Sequence, residues 1–168
     1  ARARFDALAK PLGSLGRLEE LGAWVAACQG TCPPRPLERV TALVPAGDHG
    51  VVGSGVAAYP KEITAAMVRT IVAGVAGVSV LAAQYGVTVR VIDIAVDGDL
   101  EGVPAEVTAH KIRRSSGSID VEDAISADEL DRAFEVGAAL VEEELAAGTQ
   151  LLVLGDLGIG NTTPAAAL

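Results

Sequence analysis

Residues 150–168 read Gln-Leu-Leu-Val-Leu-Gly-Asp-Leu-Gly-Ile-Gly-Asn-Thr-Thr-Pro-Ala-Ala-Ala-Leu, and this stretch decides the fold. Leu151 to Leu154 has the length of a buried strand and lacks polar alternation, as when a parallel sheet is covered on both faces. Gly155 to Gly160 is too rich in glycine for the interior of a helix or strand. Asn161, Thr162 and Thr163 are helix-capping residue types, and Pro164 suits a first helical turn. Strand, glycine loop and helix start together suit an anion, because backbone N–H groups point outward with the helix dipole behind them. The helix has barely begun at Leu168, so the chain is expected to be the N-terminal part of something longer.

Bulk composition narrows the class. At 168 residues the chain suffices for one α/β domain with a small appendage. Half the residues are hydrophobic but only 3% are aromatic, so the core must be built from Ala, Val, Leu and Ile. A net charge of −9 and a pI near 4.6 argue against nucleic acid or an anionic membrane surface as partner. An anionic small molecule stays compatible, since a local loop can bind it despite the global charge. No apolar run reads as a membrane span, and no signal-like segment opens the sequence. Cys28 and Cys32 have no further Cys or nearby His to complete a metal site and read as ordinary thiols of a reducing cytosol.

Upstream of the closing stretch, strands and helices alternate. Residues 4–30 read as helical with a break: a first helix ends near Lys10-Pro11. Leu15, Leu18, Leu21, Trp24, Val25 and Cys28 then form an amphipathic stripe, with Trp24 expected in a core. Gly30 to Arg39 is a proline-rich linker. Val40–Val44 is a strand that runs into Pro45-Ala46-Gly47-Asp48-His49-Gly50. Thr64, Met67, Val68, Ile71 and Val75 give the next helix an apolar face, and a second helix follows to Tyr85. Val87–Val96 is a β-branched strand. A polar connection covers 97–118, with a short strand expected at 107–112. The helix over 129–147 starts from a Ser126/Glu129 capping box. Leu130, Phe134, Gly137, Ala138, Val141 and Leu145 line one face of it, and Glu142-Glu143-Glu144 read as a solvated face rather than a metal site. This alternation predicts an α/β fold: a doubly wound, mostly parallel sheet with flanking helices, plus a small N-terminal helical piece.

In such a sheet the loops after the strands leave by one edge, where ligands settle. The loops here are 46–51, 96–99 and 155–163, so Asp48, His49, Asp97 and the glycine loop are predicted to converge. Asp48-His49 could supply a general base, a metal ligand or an orienting carboxylate, or Asp48 could simply cap its own glycine turn. His110 belongs to no constellation. Gly158-Ile159-Gly160 lacks the full dinucleotide fingerprint, and there is no P-loop.

Four motifs in order carry a resemblance: Lys10-Pro11-Leu12-Gly13-Ser14-Leu15-Gly16-Arg17-Leu18-Glu19, AGDHGV at 46–51, GVAAYPKEITAAMV at 55–68 and GDLGIGNTTPAAAL at 155–168. The set resembles the nicotinate-nucleotide–dimethylbenzimidazole phosphoribosyltransferase family of cobalamin lower-ligand synthesis. The resemblance implies transfer of phosphoribose from nicotinate mononucleotide to 5,6-dimethylbenzimidazole, with no cofactor and no metal, in a cytoplasmic homodimer. It divides the chain into residues 1–36, a helical segment of a small domain with its linker, and 37–168, a Rossmann-like domain truncated at its C-terminal end. Gly158, Gly160, Asn161, Thr162 and Thr163 would hold phosphate and ribose. Tyr59 and Met67 would wall the base pocket, and Asp48 and His49 would line the cleft without an assigned role. Asp156 stands where the family's motif carries a longer glutamate, which alters any ribose or base contact. Ser79 likewise stands where an asparagine is usual. Members of the family are considerably longer, and their catalytic glutamate would lie beyond Leu168, so no catalytic residue is assigned within 1–168. An incomplete site predicts weak or no ligand binding and little or no turnover. A truncated paralogue acting as an azole or nucleotide carrier predicts tight binding without turnover.

Overall fold

A computed structural model describes residues 1–168, which separate into two compact units, Ala1–Glu38 and Arg39–Leu168. The first unit holds two helices, α1 (Arg2–Asp6) and α2 (Arg17–Gln29). Helix α1 stops earlier than the sequence suggested, because Pro11 and the left-handed Gly13 and Gly16 turn the chain through 7–16. The turn is folded back onto α2 by Glu19, which accepts from Lys10 Nζ (2.7 Å) and the Leu15 N–H (3.2 Å). Gly30, at φ 63°, closes α2 in the left-handed conformation. The expectation that Trp24 and its stripe form a core does not hold. Trp24 is 59% exposed, Leu15, Leu18 and Leu21 are exposed too, and only Ala26 of α2 is buried. The reason is one of supply: α1 offers a single ring, Phe5, against Gly22, which is too little apolar surface to cover the stripe.

The second unit is a sheet of three parallel strands in the order β2-β1-β3: β1 (Val40–Gly47), β2 (Thr88–Ala95) and β3 (Leu151–Leu154). Helices α3 (Ile63–Val72) and α4 (Gly77–Tyr85) connect β1 to β2, and α5 (Ala105–Thr108) and α6 (Ala127–Ala146) connect β2 to β3. Strand alternation sends side chains to two separate cores. Val44, Ala46 and Val91 meet Val68 and Ile71 of α3 and Val107 of α5 on one face; Leu43 and Ile92 meet Leu140 of α6 on the other. Burying a side chain such as Val68, which is fully inaccessible, contributes roughly 1.5–3 kcal/mol. Helices on both faces of a parallel sheet make this the doubly wound α/β arrangement.

Several local expectations change. Residues 107–112 are not a strand: α5 begins behind Pro104, and the segment after it only hydrogen-bonds alongside the end of β2, with the Ile112 N–H on Ile94 O (2.9 Å). Val75 lies past the end of α3 and is exposed. The capping box on α6 is present in both halves, but the helix face that meets the sheet is Val136, Leu140 and Glu144, at i, i+4 and i+8. Leu130, Phe134, Val141 and Leu145 consequently lie exposed.

Glu144, read as a solvated residue, is 4% exposed and faces Arg90 of β2 across the second core. Arg90 donates to Glu144 Oε1 (2.5 Å) and Glu143 Oε2 (2.9 Å), and Thr149 Oγ1 donates to Glu144 Oε2 (2.6 Å). Burial raises the Glu144 pKa, but hydrogen bonds from Thr149 and Arg90 outweigh it and hold the carboxyl below its ordinary value. Strand β3 lies at an edge, with Val153 and Leu154 exposed, so the reading of a strand covered on both faces fails there. An 18-residue window within residues 63–85 has a mean hydropathy of 1.9 and matches a membrane span in length and composition, which corrects the sequence reading. The stretch breaks into two helices around Gly74 (φ 77°), and α3 buries Thr64, Ala65, Val68 and Ile71 against the sheet.

Candidate functional site

The three loops meet at the carboxyl edge of the sheet. β1 ends in a register shift between Ala46 and Gly47, where Gly47 faces Ala95 so closely that a Cβ would lie 3.1 Å from Ala95 Cβ. Beyond it, the Asp48 N–H donates to Ala95 O (3.0 Å), and Ser116 N donates to Asp48 O (2.9 Å). The Asp48 carboxylate is 3% exposed, and its Oδ2 accepts the Asp97 N–H (2.8 Å), tying the first loop to the second. Asp48 Oδ1 and His49 Nε2 are buried without a hydrogen-bond partner.

The third loop is laced to the first by backbone. Gly47 N donates to Leu157 O (2.9 Å) and Leu157 N to Pro45 O (3.0 Å). A Cβ on Gly158 would sit 2.2 Å from Gly47 O and 2.9 Å from His49 Nε2, so glycine is required by close approach. Gly160 needs glycine for a second reason, its φ of 79°, and a Cβ there would strike Val52. The Ile159 N–H donates to the hydroxyl of Thr64, a fully buried residue of α3 (3.1 Å). The N–H groups of Asn161 and Thr163 turn inward to Gly158 O and Gly160 O, while those of Gly158 and Gly160 have no partner in the chain. Helix α7 (Thr162–Ala167) follows, with Thr162 exposed and Thr163 half-buried. Asp156 is occupied within the loop, accepting from Asn161 Nδ2 (2.9 Å).

Charged side chains that the sequence reading passed over surround this junction. Asp93, 1% exposed, accepts the Val96 N–H on Oδ1 (2.8 Å) and Lys111 Nζ on Oδ2 (2.8 Å), and Lys111 also reaches Val96 O (2.6 Å). A lone aspartate between two isoleucines in a β-branched strand was the available signal. Lys61, from the 55–68 motif, pairs with Asp97 Oδ2 (2.5 Å). That hydrogen bond holds the Asp97 carboxyl below its ordinary value and raises Lys61. Arg114 pairs with Asp99 in the same cluster.

Not every candidate joins the junction. Tyr59 is 67% exposed, and Met67 packs half-buried against the core beside Val68. Ser79 is buried and donates to Ile71 O (3.2 Å), fastening α4 to the end of α3. His110 rests 3.4 Å from Glu143 of α6. In the N-terminal unit a hollow of about 580 Å³ lies beside Trp24, Ala27, Thr31 and Cys32. That hollow lacks the buried carboxylates of the loop junction, Asp48 and Asp93. Both cysteines are free and exposed.

A parallel sheet wound on both sides, with glycine loops crowded at its carboxyl edge, defines a doubly wound α/β protein of the kind whose ligands settle at that edge. Comparison with known proteins makes this specific: a family model described as phosphoribosyltransferase matches residues 1–168, and the chain belongs to that family. It is 55% identical over 170 aligned residues to the nicotinate-nucleotide–dimethylbenzimidazole phosphoribosyltransferase of Mycolicibacterium paratuberculosis, covering all of this chain and 48% of that protein. It is 54% identical to the enzyme of the same name from Mycobacterium tuberculosis, covering 46% of it. The crystal structure of CobT from Thermus thermophilus superposes with a TM-score of 0.91 at 40% identity, over 99% of this chain and 49% of that one. The chain thus spans about half the length of the relatives it matches.

Proposed function

We propose that this chain carries the nucleotide-binding part of a phosphoribosyltransferase that moves phosphoribose from nicotinate mononucleotide to 5,6-dimethylbenzimidazole, giving α-ribazole 5′-phosphate and nicotinate. The observation that carries the reading is the glycine loop after β3, held on the end of β1 with the Gly158 and Gly160 amides unpaired, in a chain 55% identical to an enzyme named for these substrates. Phosphate would bind those amides with Asn161, Thr162 and Thr163, as an anion binds any convergent set of backbone N–H groups. Asp156 would act indirectly by orienting Asn161. Tyr59 and Met67 would border the base, and Asp48 and His49 would stand beneath the reacting sugar. The general base that takes the azole proton would be a glutamate outside residues 1–168, in a cytoplasmic homodimer.

The reading is tested by adding nicotinate mononucleotide and dimethylbenzimidazole to this chain. It expects millimolar binding of the nucleotide, followed by calorimetry or ligand-observed NMR, and no release of nicotinate. Release of nicotinate would refute the assignment of the base outside this chain. Micromolar binding without turnover would favour the other reading, a non-catalytic azole or nucleotide carrier.

A further inference from the structure

Asp48 is tethered at every atom but one. Its N–H, its C=O and its Oδ2 are spent on Ala95, Ser116 and Asp97, which fixes the carboxylate where the loops meet. Oδ1 of that 3%-exposed residue has no donor, and Nε2 of the following residue, His49, has no partner either. An unmet carboxylate oxygen in a buried position costs folding free energy, and such a cost persists where function uses the group. The surrounding donors are committed elsewhere: Lys61 to Asp97, and Lys111 to Asp93 and Val96 O.

We infer that Asp48 Oδ1 is an acceptor site for an N–H or O–H donor of the bound substrate. The inference rests on the proposed function for the choice of ligands. An unpaired carboxylate oxygen accepts hydrogen bonds and repels other anions, which excludes phosphate and the nicotinate carboxylate as its partner. Two groups share the right chemistry: a ribose hydroxyl of nicotinate mononucleotide and the ring N–H of dimethylbenzimidazole. The glycine loop lies against the neighbouring residue, with Gly158 seated on His49. That loop hangs between an edge strand of four residues and helix α7, which buries no residue.

The test is Asp48→Asn, which keeps an acceptor for the Asp97 N–H but replaces the unmet oxygen with an amide. Its urea midpoint should equal or exceed that of the unsubstituted chain. Binding of the ligand that supplies the donor should weaken by about 10- to 100-fold, the worth of one hydrogen bond to a charged group. Separate titrations with nicotinate mononucleotide, dimethylbenzimidazole and 1,5,6-trimethylbenzimidazole, which lacks the ring N–H, identify the source. Weakening confined to the nucleotide assigns the ribose. Weakening for dimethylbenzimidazole but not for its N-methyl analogue assigns the azole. A lowered midpoint would make Asp48 a structural residue and overturn the inference, as would unchanged affinity for both substrates, with the proposed function left standing. If the unsubstituted chain binds neither substrate at millimolar concentration, the proposed function fails and the inference falls with it.

Discussion

Replacing Gly158 with alanine probes the packing of the loop junction directly. The added Cβ would lie 2.2 Å from Gly47 O and 2.9 Å from His49 Nε2. Ordinary contacts involving carbon lie near ~3.5 Å, so the loop or the end of β1 must retreat by about 1 Å. Neither neighbour is the free end of a flexible chain: one is a strand carbonyl and the other the inaccessible Nε2 of a half-buried ring. Overpacking of this kind costs ~1–3 kcal/mol. The retreat also stretches two hydrogen bonds that flank the glycine, Gly47 N to Leu157 O and Ile159 N to Thr64 Oγ1. Each contributes roughly 0.5–1.5 kcal/mol when intact and stretching forfeits about half of that, so the expected loss is about 2–4 kcal/mol. With a urea m-value of ~2 kcal/mol/M the midpoint falls by about 1–2 M. Gly53→Ala is the control, because a Cβ there meets nothing within 4 Å. If Gly158→Ala unfolds within about 0.5 kcal/mol of the control, the close approach of loop and strand is not what holds Gly158.

Glu144→Ala should cost ~2–3 kcal/mol in thermal or urea unfolding, below the full penalty of an orphaned buried charge because Arg90 keeps Glu143. That difference should depend on pH with a definite sign. Glu144 ionises below the ordinary carboxylate range in the folded chain, so protons are taken up first by the unfolded chain. Its stabilising contribution is therefore complete above about pH 4.3 and is lost as pH falls through the lower folded value. The gap between the unsubstituted chain and Glu144→Ala should close on acidification, and a gap that widens would contradict the assignment. Ser126→Ala should remove about 1 kcal/mol by breaking the capping box, read as a lower melting temperature. Gly137→Ala, inside α6 where a Cβ meets nothing, should instead add ~0.5–1 kcal/mol.

The fold class was legible because parallel strands and crossover helices leave opposite hydrophobic periods in the chain. Leu151–Leu154 and Val87–Val96 stand out from the 3.6-residue rhythm of Thr64–Ile71 without ambiguity. Convergence of Asp48, Asp97 and the glycine loop followed from strand direction alone. What periodicity could not tell was which apolar face finds a partner. Phe134 and Leu145 have the spacing of a core face, yet Val136, Leu140 and Glu144 took it, since Arg90 on the facing strand makes a buried glutamate the better fit. Trp24 misled for a related reason, because a stripe is buried only if another surface arrives to cover it. Asp93 and Lys111 were invisible as a pair: eighteen residues separate them, and only the path of the segment after β2 joins them.

The two outer strands of the sheet differ in how they meet water. The end of β2 is flanked by the 112–115 segment, which occupies Ile94 O and Ala95 O. Strand β3 has β1 on one side, and its other side carries neither a proline nor a charge between Leu151 and Leu154. Natural proteins guard such edges because an open row of amides and carbonyls next to leucine and valine recruits strands from other molecules. In concentrated solution this chain should consequently scatter light and form β-rich assemblies. Val153→Lys, at a position already half exposed, is the simplest remedy for handling it.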